Sequence, residues 1–143
     1  MGFLATDITP FQPVGPTTLI PTAKDVQTKV FQIARTESAS TLKAVLPGGS
    51  SVIEVSKFGS SNSDAGTSST LNIVMADNTG TISSGTNDLK TTGVTTGHIQ
   101  MSNLPNLQPV PLTGDLRINA YVTEVGTAST TGGPWYIKVL YVR

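Results

Sequence analysis

The chain has 143 residues, in which nine Lys and Arg balance nine Asp and Glu, and it contains no cysteine. This length is enough for one domain that buries roughly two-thirds of its unfolded surface. The lack of a basic excess argues against nucleic-acid binding. The lack of cysteine excludes disulfides and Cys-ligated metals. Only 13% of the residues are charged, about half the ~25% usual for soluble domains, and such a surface suits large protein interfaces because neutral polar groups cost less to desolvate than charges.

The first 23 residues are typical of an extended arm. They contain four prolines, which fix φ and bias the preceding residue toward extended conformations, so the segment is a poor helix. Asp7 is the only charged residue before Lys24. The apolar side chains are too many for a solvated linker, and we expect them to contact a partner: Phe3, Leu4, Ile8, Phe11, Val14, Leu19 and Ile20.

The next part of the chain is strand-like after one weak helix candidate at 22–29. An apolar run begins at Val30, and residues 41–46 and 51–58 then alternate or cluster apolar residues as strands do. The two runs flank Pro47-Gly48-Gly49. Because Gly-Gly between two such runs is a hairpin signal, we expect these two strands to pair antiparallel.

The second half predicts three more strands. Residues 70–76 form the first, 83–97 is expected to be mostly loop, and three prolines within 103–111 exclude a central strand there because each removes a ladder donor. The last two strands, 116–124 and 135–142, are long and flank a nine-residue loop. Leu116, Ile118, Ala120 and Val122 share one face of the former, while Trp135, Ile137, Val139 and Tyr141 share one face of the latter and oppose Tyr136, Lys138, Leu140 and Val142.

These elements predict an all-β fold, an antiparallel β-sandwich of the jelly-roll kind, with 1–23 as an extended arm and 24–143 as a single domain. The last strand is apolar on both faces, which indicates a central strand or an interface. No apolar run approaches the ~20 residues of a membrane span, and no signal-peptide pattern begins the chain. We therefore expect no membrane partner.

Catalytic chemistry has little support in the sequence. His98 is the only histidine, no serine lies in a nucleophile elbow, and we interpret His98 as a surface or interface residue. The remaining enzymatic hypothesis is a metal-assisted hydrolase that uses loop carboxylates around His98. We expect no cofactor or metal, because the oxygen-bearing loop residues fit turn capping better than calcium binding: Asn62, Asp64, Asp77, Asn78 and Asp88.

Aromatic residues in the last two strands give a second candidate surface. Trp135, Tyr136 and Tyr121 could serve as an oligomer or ligand surface, including a platform for stacking on sugars. Strand aromatics more often pack in the core or in cross-strand pairs, so both interpretations stay open.

Two segments resemble small tailed-phage virion proteins. LPGGSSVIEVSKFGSSNSDAGTSSTLNIVMA, at 46–76, is similar to their strand, SDAGTS loop and following strand, and AYVTEVGTASTTGGPWYIKVLYVR, at 120–143, is similar to their closing hairpin. The resemblance implies a capsid decoration (cement) protein, a homotrimer on the outer capsid surface of the virion that is made in the host cytoplasm and binds the major capsid protein. It brings no catalytic motif.

The function expected from this resemblance is to stabilise a phage capsid by bridging neighbouring capsomers, with the arm as the main contact. Two alternatives remain. One is a head-fibre or receptor-binding module whose loops at 59–69 and 126–134 contact host glycans. The other is a head-tail connector or tail component that assembles as a ring.

Overall fold

The computed structural model describes residues 25–102 and 114–143. The predicted arm at 1–23, with all seven of its partner-binding residues, and the proline-rich connector at 103–111 therefore lie outside the described residues. Apart from turns and loops, the described ranges contain only β-strand.

Eight strands are formed in these ranges. They are β1 (Val26–Ile33), β2 (Thr41–Leu46), β3 (Ser51–Gly59), β4 (Ser68–Asp77), β5 (Gly80–Asp88), β6 (Gly97–His98), β7 (Leu116–Val125) and β8 (Trp135–Val142). The described part of the chain contains no helix long and apolar enough to cross a membrane.

The strands form two antiparallel sheets of four. Sheet I has the order β1-β8-β3-β6, and sheet II has the order β2-β7-β4-β5. Antiparallel pairs join β1 to β8, β2 to β7, β3 to β6 and β4 to β5. This nested order is that of an eight-stranded jelly roll, so the predicted fold class is confirmed.

The core lies between the two sheets and follows the period of two along each strand. Residues 135, 137, 139 and 141 of β8 and residues 116, 118, 120 and 122 of β7 are buried, as their alternation predicts. Leu71, Ile73 and Met75 of β4 pack into the same cluster. The two central strand pairs therefore supply most of the apolar filling.

The predicted hairpin around Gly48-Gly49 is wrong. β2 pairs with β7 in sheet II, whereas β3 pairs with β8 and β6 in sheet I, so the Gly-Gly turn leads the chain from one sheet to the other. Gly49 has φ +87°, which only glycine adopts without strain. The Gly-Gly sequence indicated a turn but not the partner of each strand. The partners are decided by packing, because β2 and β3 bury their apolar sides from opposite sheets.

Two other local predictions differ from the structure. Residues 26–29 belong to β1 rather than to a helix, because pairing with β8 overrides the local pattern. Residues 80–88 form the nine-residue strand β5, where loop was predicted from Ser83 onward. β5 is poor in apolar residues since it is an edge strand whose role is to pair with β4.

Candidate binding surfaces

The outer face of sheet I is unusually apolar for an exposed surface. Because the odd-numbered residues of β8 point into the core, Tyr136, Lys138, Leu140 and Val142 point outward and are only partly covered. The neighbouring strand β1 adds Val26 and Val30, which are 61% and 54% exposed and stand opposite Val142 and Lys138.

On the other side of β8, strand β3 extends this surface. Phe58 stands opposite Tyr136, and the two rings stack with centroids 5.2 Å apart and planes 15° apart. Ile53, at the β-bulge of β3, is 38% exposed. We call the surface formed by Val26, Val30, Ile53, Phe58, Tyr136, Leu140 and Val142 the apolar face.

The outer face of sheet II differs in chemistry. Its central strand β7 presents Arg117, Asn119, Tyr121 and Thr123 outward, and Asn72 of β4 donates to the Thr123 hydroxyl at 3.0 Å. Exposed apolar residues of sheet II lie at its margins, with Leu42 and Val45 on the edge strand β2 and Val125 at the end of β7. The two faces of the sandwich are thus suited to different surroundings.

Two opposite charges lie among the residues of the apolar face. Lys138 is at its centre, and Glu54 of β3 stands opposite Leu140, two residues along β8 from Lys138. The Glu54 carboxylate is 3.8 Å from Nδ1 of His98. Across residues 25–102 and 114–143, no ion pair joins Lys138 to Glu54 or to another carboxylate.

Three loops interlock at one end of the sandwich. The β3–β4 loop hydrogen-bonds to the β7–β8 loop through Asp64, whose carboxylate accepts the N–H groups of Thr130 and Thr131 at 2.7 and 2.8 Å. It hydrogen-bonds to the β5–β6 loop through Asn62, which accepts the N–H of Val94 at 2.8 Å. These contacts join loops that are far apart in the chain, whereas the predicted turn capping is seen at Asp77 and Asp88, which accept N–H groups two or three residues away.

The carboxylates at this end are held in the ionised form. The N–H of Thr131, followed by the hydroxyl of Thr130, holds the pKa of Asp64 well below its ordinary value. For Glu124, burial acts to raise the pKa, but hydrogen bonds from Ser129 and Ser63 outweigh it and lower the pKa. Both carboxylates therefore serve as structural acceptors, and neither is poised to donate a proton near neutral pH.

A polar pocket of about 190 Å³ opens near the β5–β6 loop. It is lined by Lys57, Asn87, Thr92, Thr95, Gly97 and His98. Lys57 is 1% exposed, and its ammonium donates to the carbonyls of Thr92 and Gly93. Burial lowers the pKa of Lys57, and the charge of Asp88 opposes that change. Through these hydrogen bonds, Lys57 links strand β3 to the β5–β6 loop.

The three aromatic residues predicted as a surface do not lie together. Trp135 has no exposed area and donates its indole N–H to the carbonyl of Ser61 at 3.0 Å, so its predicted surface role is wrong. Tyr136 is on the outer face of sheet I, whereas Tyr121 is on the outer face of sheet II. Sequence alternation contained the signal for the apolar face, since β8 is apolar on both sides, but it missed Val26, Val30, Ile53 and Phe58.

The described residues offer little for metal or acid–base chemistry. No group of three or more His, Asp or Glu that could hold a metal ion occurs in 25–102 or 114–143. His98 stands beside Glu54 on the outer side of sheet I, half exposed.

Comparison with known proteins finds a similar solved structure. No protein-family model matches the chain, and no curated protein matches it. The chain is similar to a chain of the structure titled "Capsid of Ralstonia phage GP4", with 18% identity and a TM-score of 0.48 over 85% of this chain and 86% of that chain. A likeness at this level does not identify a ligand or a partner.

Proposed function

We propose that this chain is a non-enzymatic virion structural protein that decorates a phage capsid and stabilises it by bridging neighbouring capsomers. The class of protein comes from the resemblance of segments 46–76 and 120–143 to small tailed-phage virion proteins. Jelly rolls also occur in viral capsid domains, and the strand order of this chain is compatible with that use.

The observation that carries an assembly role is the apolar face on a chain with so few charges. Val26 and Val30 are more than half exposed, and Val30 lies diagonally across from Tyr136 of the stacked aromatic pair. Contiguous apolar surface of this kind is typical of protein interaction sites. With 13% charged residues in the chain, a contact with another protein desolvates few ions.

The arm is the proposed main contact with the major capsid protein. Its apolar residues would bury surface on docking at roughly 25 cal/mol per Å², offset by about 1–2 kcal/mol of ordering entropy for each residue. The net affinity of one arm is therefore modest. A homotrimer would engage three arms at high effective concentration, which raises the overall affinity without any new contact.

Deletion of residues 1–21 tests the arm. The truncated chain should stay folded and keep the oligomeric state of the full chain, because it retains all the strands of the described residues, but it should no longer sediment with undecorated capsids. Circular dichroism and solution mass provide the folding controls. Full retention of capsid binding by the truncated chain would contradict the role given to the arm.

The glycan-binding alternative depends on loops that the structure does bring together. The β3–β4 and β7–β8 loops lie side by side through the Asp64 hydrogen bonds, and lectin domains also use jelly rolls. Burial of Trp135 removes the main stacking residue from that hypothesis. Specific retention on a glycan array, lost in Tyr136→Ala, would favour this alternative over capsid decoration.

The connector alternative differs in its symmetry. A head-tail connector or tail component assembles as a six-fold or twelve-fold ring, so its solution mass is a correspondingly large multiple of the 14.9 kDa chain. A homotrimer that sediments with capsids supports decoration. A ring that remains in the supernatant would move the assignment to the connector.

A further inference from the structure

We infer that the apolar face of sheet I is where a second copy of this chain binds. This inference deepens the proposed function by naming the surface through which the decorating oligomer forms. Its biological role rests on the proposed function, the surface itself is argued from the geometry of sheet I, and the test of that surface needs no capsid.

The size of the apolar face suits an interaction surface. Strands β1, β8 and β3 are eight or nine residues long, so at ~3.3 Å per residue and ~4.8 Å between strands they outline roughly 26 Å by 14 Å. That outline is on the order of 400 Å² and also contains the polar outward positions Thr28, Gln32, Glu54, Ser56 and Lys138, so the apolar area is smaller. The whole outline is about half the ~800 Å² per partner of a standard interface, so we expect concentration-dependent association.

The edges of sheet I favour contact through the face over pairing of strand edges. β6 has only two residues, which is too short to act as a template for a neighbour. β1 carries Lys29 on the core-facing side of its open edge, where the side chain is exposed. A lysine in that position hinders the addition of another strand. Sheet I is therefore better suited to bind a partner through the apolar face than through either edge.

The charges on the apolar face make a second copy a fitting occupant. Among the described residues, the surface carries one lysine, Lys138, and one carboxylate, Glu54, which lies beside His98 and forms no ion pair with Lys138. When two copies meet through this surface about a two-fold axis, Lys138 of one can face Glu54 of the other, and the symmetry repeats that contact.

The first experiment compares two matched substitutions in the full chain. Val30 on the apolar face and Leu42 on sheet II are 54% and 55% exposed, so Val30→Arg and Leu42→Arg disturb folding to a similar small extent. Sedimentation equilibrium should show a multimer for the wild type and for Leu42→Arg, and a monomer for Val30→Arg. Circular dichroism and thermal melting check that both variants are folded.

The second experiment reverses the charges. Lys138→Glu and Glu54→Lys should each weaken self-association about tenfold or more, since like charges then face one another across the interface. The double variant Lys138→Glu/Glu54→Lys should restore association, and so should a mixture of the two single variants. Restoration in the mixture requires that the two residues meet in different copies, because neither chain of the mixture carries both changes.

Several outcomes overturn the inference. These are a wild type that stays monomeric at the highest soluble concentration, a multimer that survives Val30→Arg, or a charge swap that fails to restore association. A monomeric wild type whose Val30→Arg variant loses capsid binding would assign the apolar face to the capsid shell and leave the proposed function standing. A multimer that depends on Val30 but never sediments with capsids would support the inference and contradict the proposed function.

Discussion

Trp135, the first residue of β8, is enclosed more tightly than any alternation pattern could show. The indole has no exposed surface, and its N–H group donates to the Ser61 carbonyl. A Cβ placed on Gly59 would lie 2.3 Å from the indole Cδ1, and one on Gly93 would lie 2.9 Å from Nε1. The two glycines therefore make room for the ring where β3, β8 and the β5–β6 loop meet.

Removal of that ring should be costly. Trp135→Ala leaves a large cavity and removes the indole donor to the Ser61 carbonyl, and we expect a loss of about 3–5 kcal/mol in the free energy of unfolding. Tyr136→Ala, one residue along, truncates a half-buried side chain on the outer face and should lose clearly less. Urea denaturation of the two variants measures the difference, and similar small losses would mean that the indole does not organise the core.

Lys57 shows how the surroundings of a residue decide its role. This lysine lies beside a pocket, yet its ammonium bonds to the carbonyls of Thr92 and Gly93. Lys57 therefore has a structural task, which is to link β3 to the β5–β6 loop.

Strands β3 and β8 approach each other closely where they pair at Gly59 and Trp135. A side chain at Gly59 would also come within 2.7 Å of the Gly93 carbonyl, which is backbone and cannot move aside easily. Only glycine fits at the end of β3 because neighbouring atoms occupy the space of a Cβ, and not because a turn requires its backbone conformation.

Gly59→Ala should consequently destabilise the fold by roughly 1–3 kcal/mol, the usual cost of overpacking. Gly97→Ala, on the short strand β6, is the control, because a Cβ there meets nothing within 4 Å. Thermal unfolding should show a clear drop for the first variant and little change for the second. Equal melting temperatures for both would contradict the close packing of the Trp135 indole and the Gly93 carbonyl against Gly59.

The apolar face depends on the regular alternation of side chains along one element, strand β8. The bulge in β2, between Leu42 and Ala44, shows how a single extra residue changes which side chains reach solvent, since Ala44 packs on the core while Leu42 is 55% exposed. No such shift interrupts the pairing of β8 with β1, so the alternation of β8 predicts its outward side chains directly.

At the scale of the whole molecule, the β3–β4 and β7–β8 loops each cross from one sheet to the other. Asp64 joins these two crossings across 66 and 67 residues of chain. Its carboxylate therefore links the ends of both sheets, in contrast to Asp77, which caps the turn of Thr79 two residues away.

This linkage predicts a pH dependence of stability. The pKa of Asp64 is lower in the folded chain than in the unfolded one, so its contribution is complete above about pH 4 and is lost as the pH falls through the folded pKa. The melting temperature of Asp64→Asn should lie below that of the wild type at neutral pH, and the gap should close in acid. A gap that is the same at every pH would exclude the ionised carboxylate as its cause.

Asp77→Asn is the matched control for that measurement. The pKa of Asp77 is also lowered, chiefly by hydrogen bonds from Thr79, yet its loss affects one local turn. We expect a smaller drop in melting temperature than for Asp64→Asn. A larger drop would show that the local cap matters more than the contact between loops.

The sequence by itself determined the sandwich class and the bounds of β2 and β8, and it identified the buried side of β7. Alternation with a period of two states which residues share a face, because that relation is local to one strand. For the candidate site it predicted Tyr136, together with a final strand that is apolar on both sides.

Only the tertiary structure decided the partners and the surroundings of those faces. It separated β2 from β3, formed β5 from a polar segment, buried Trp135 and placed Val26 and Phe58 beside β8. The physical reason is that strand pairing and burial depend on contacts between residues far apart in the chain. A strand pattern can name its two sides, and the rest of the molecule determines which side meets the core and which meets a partner.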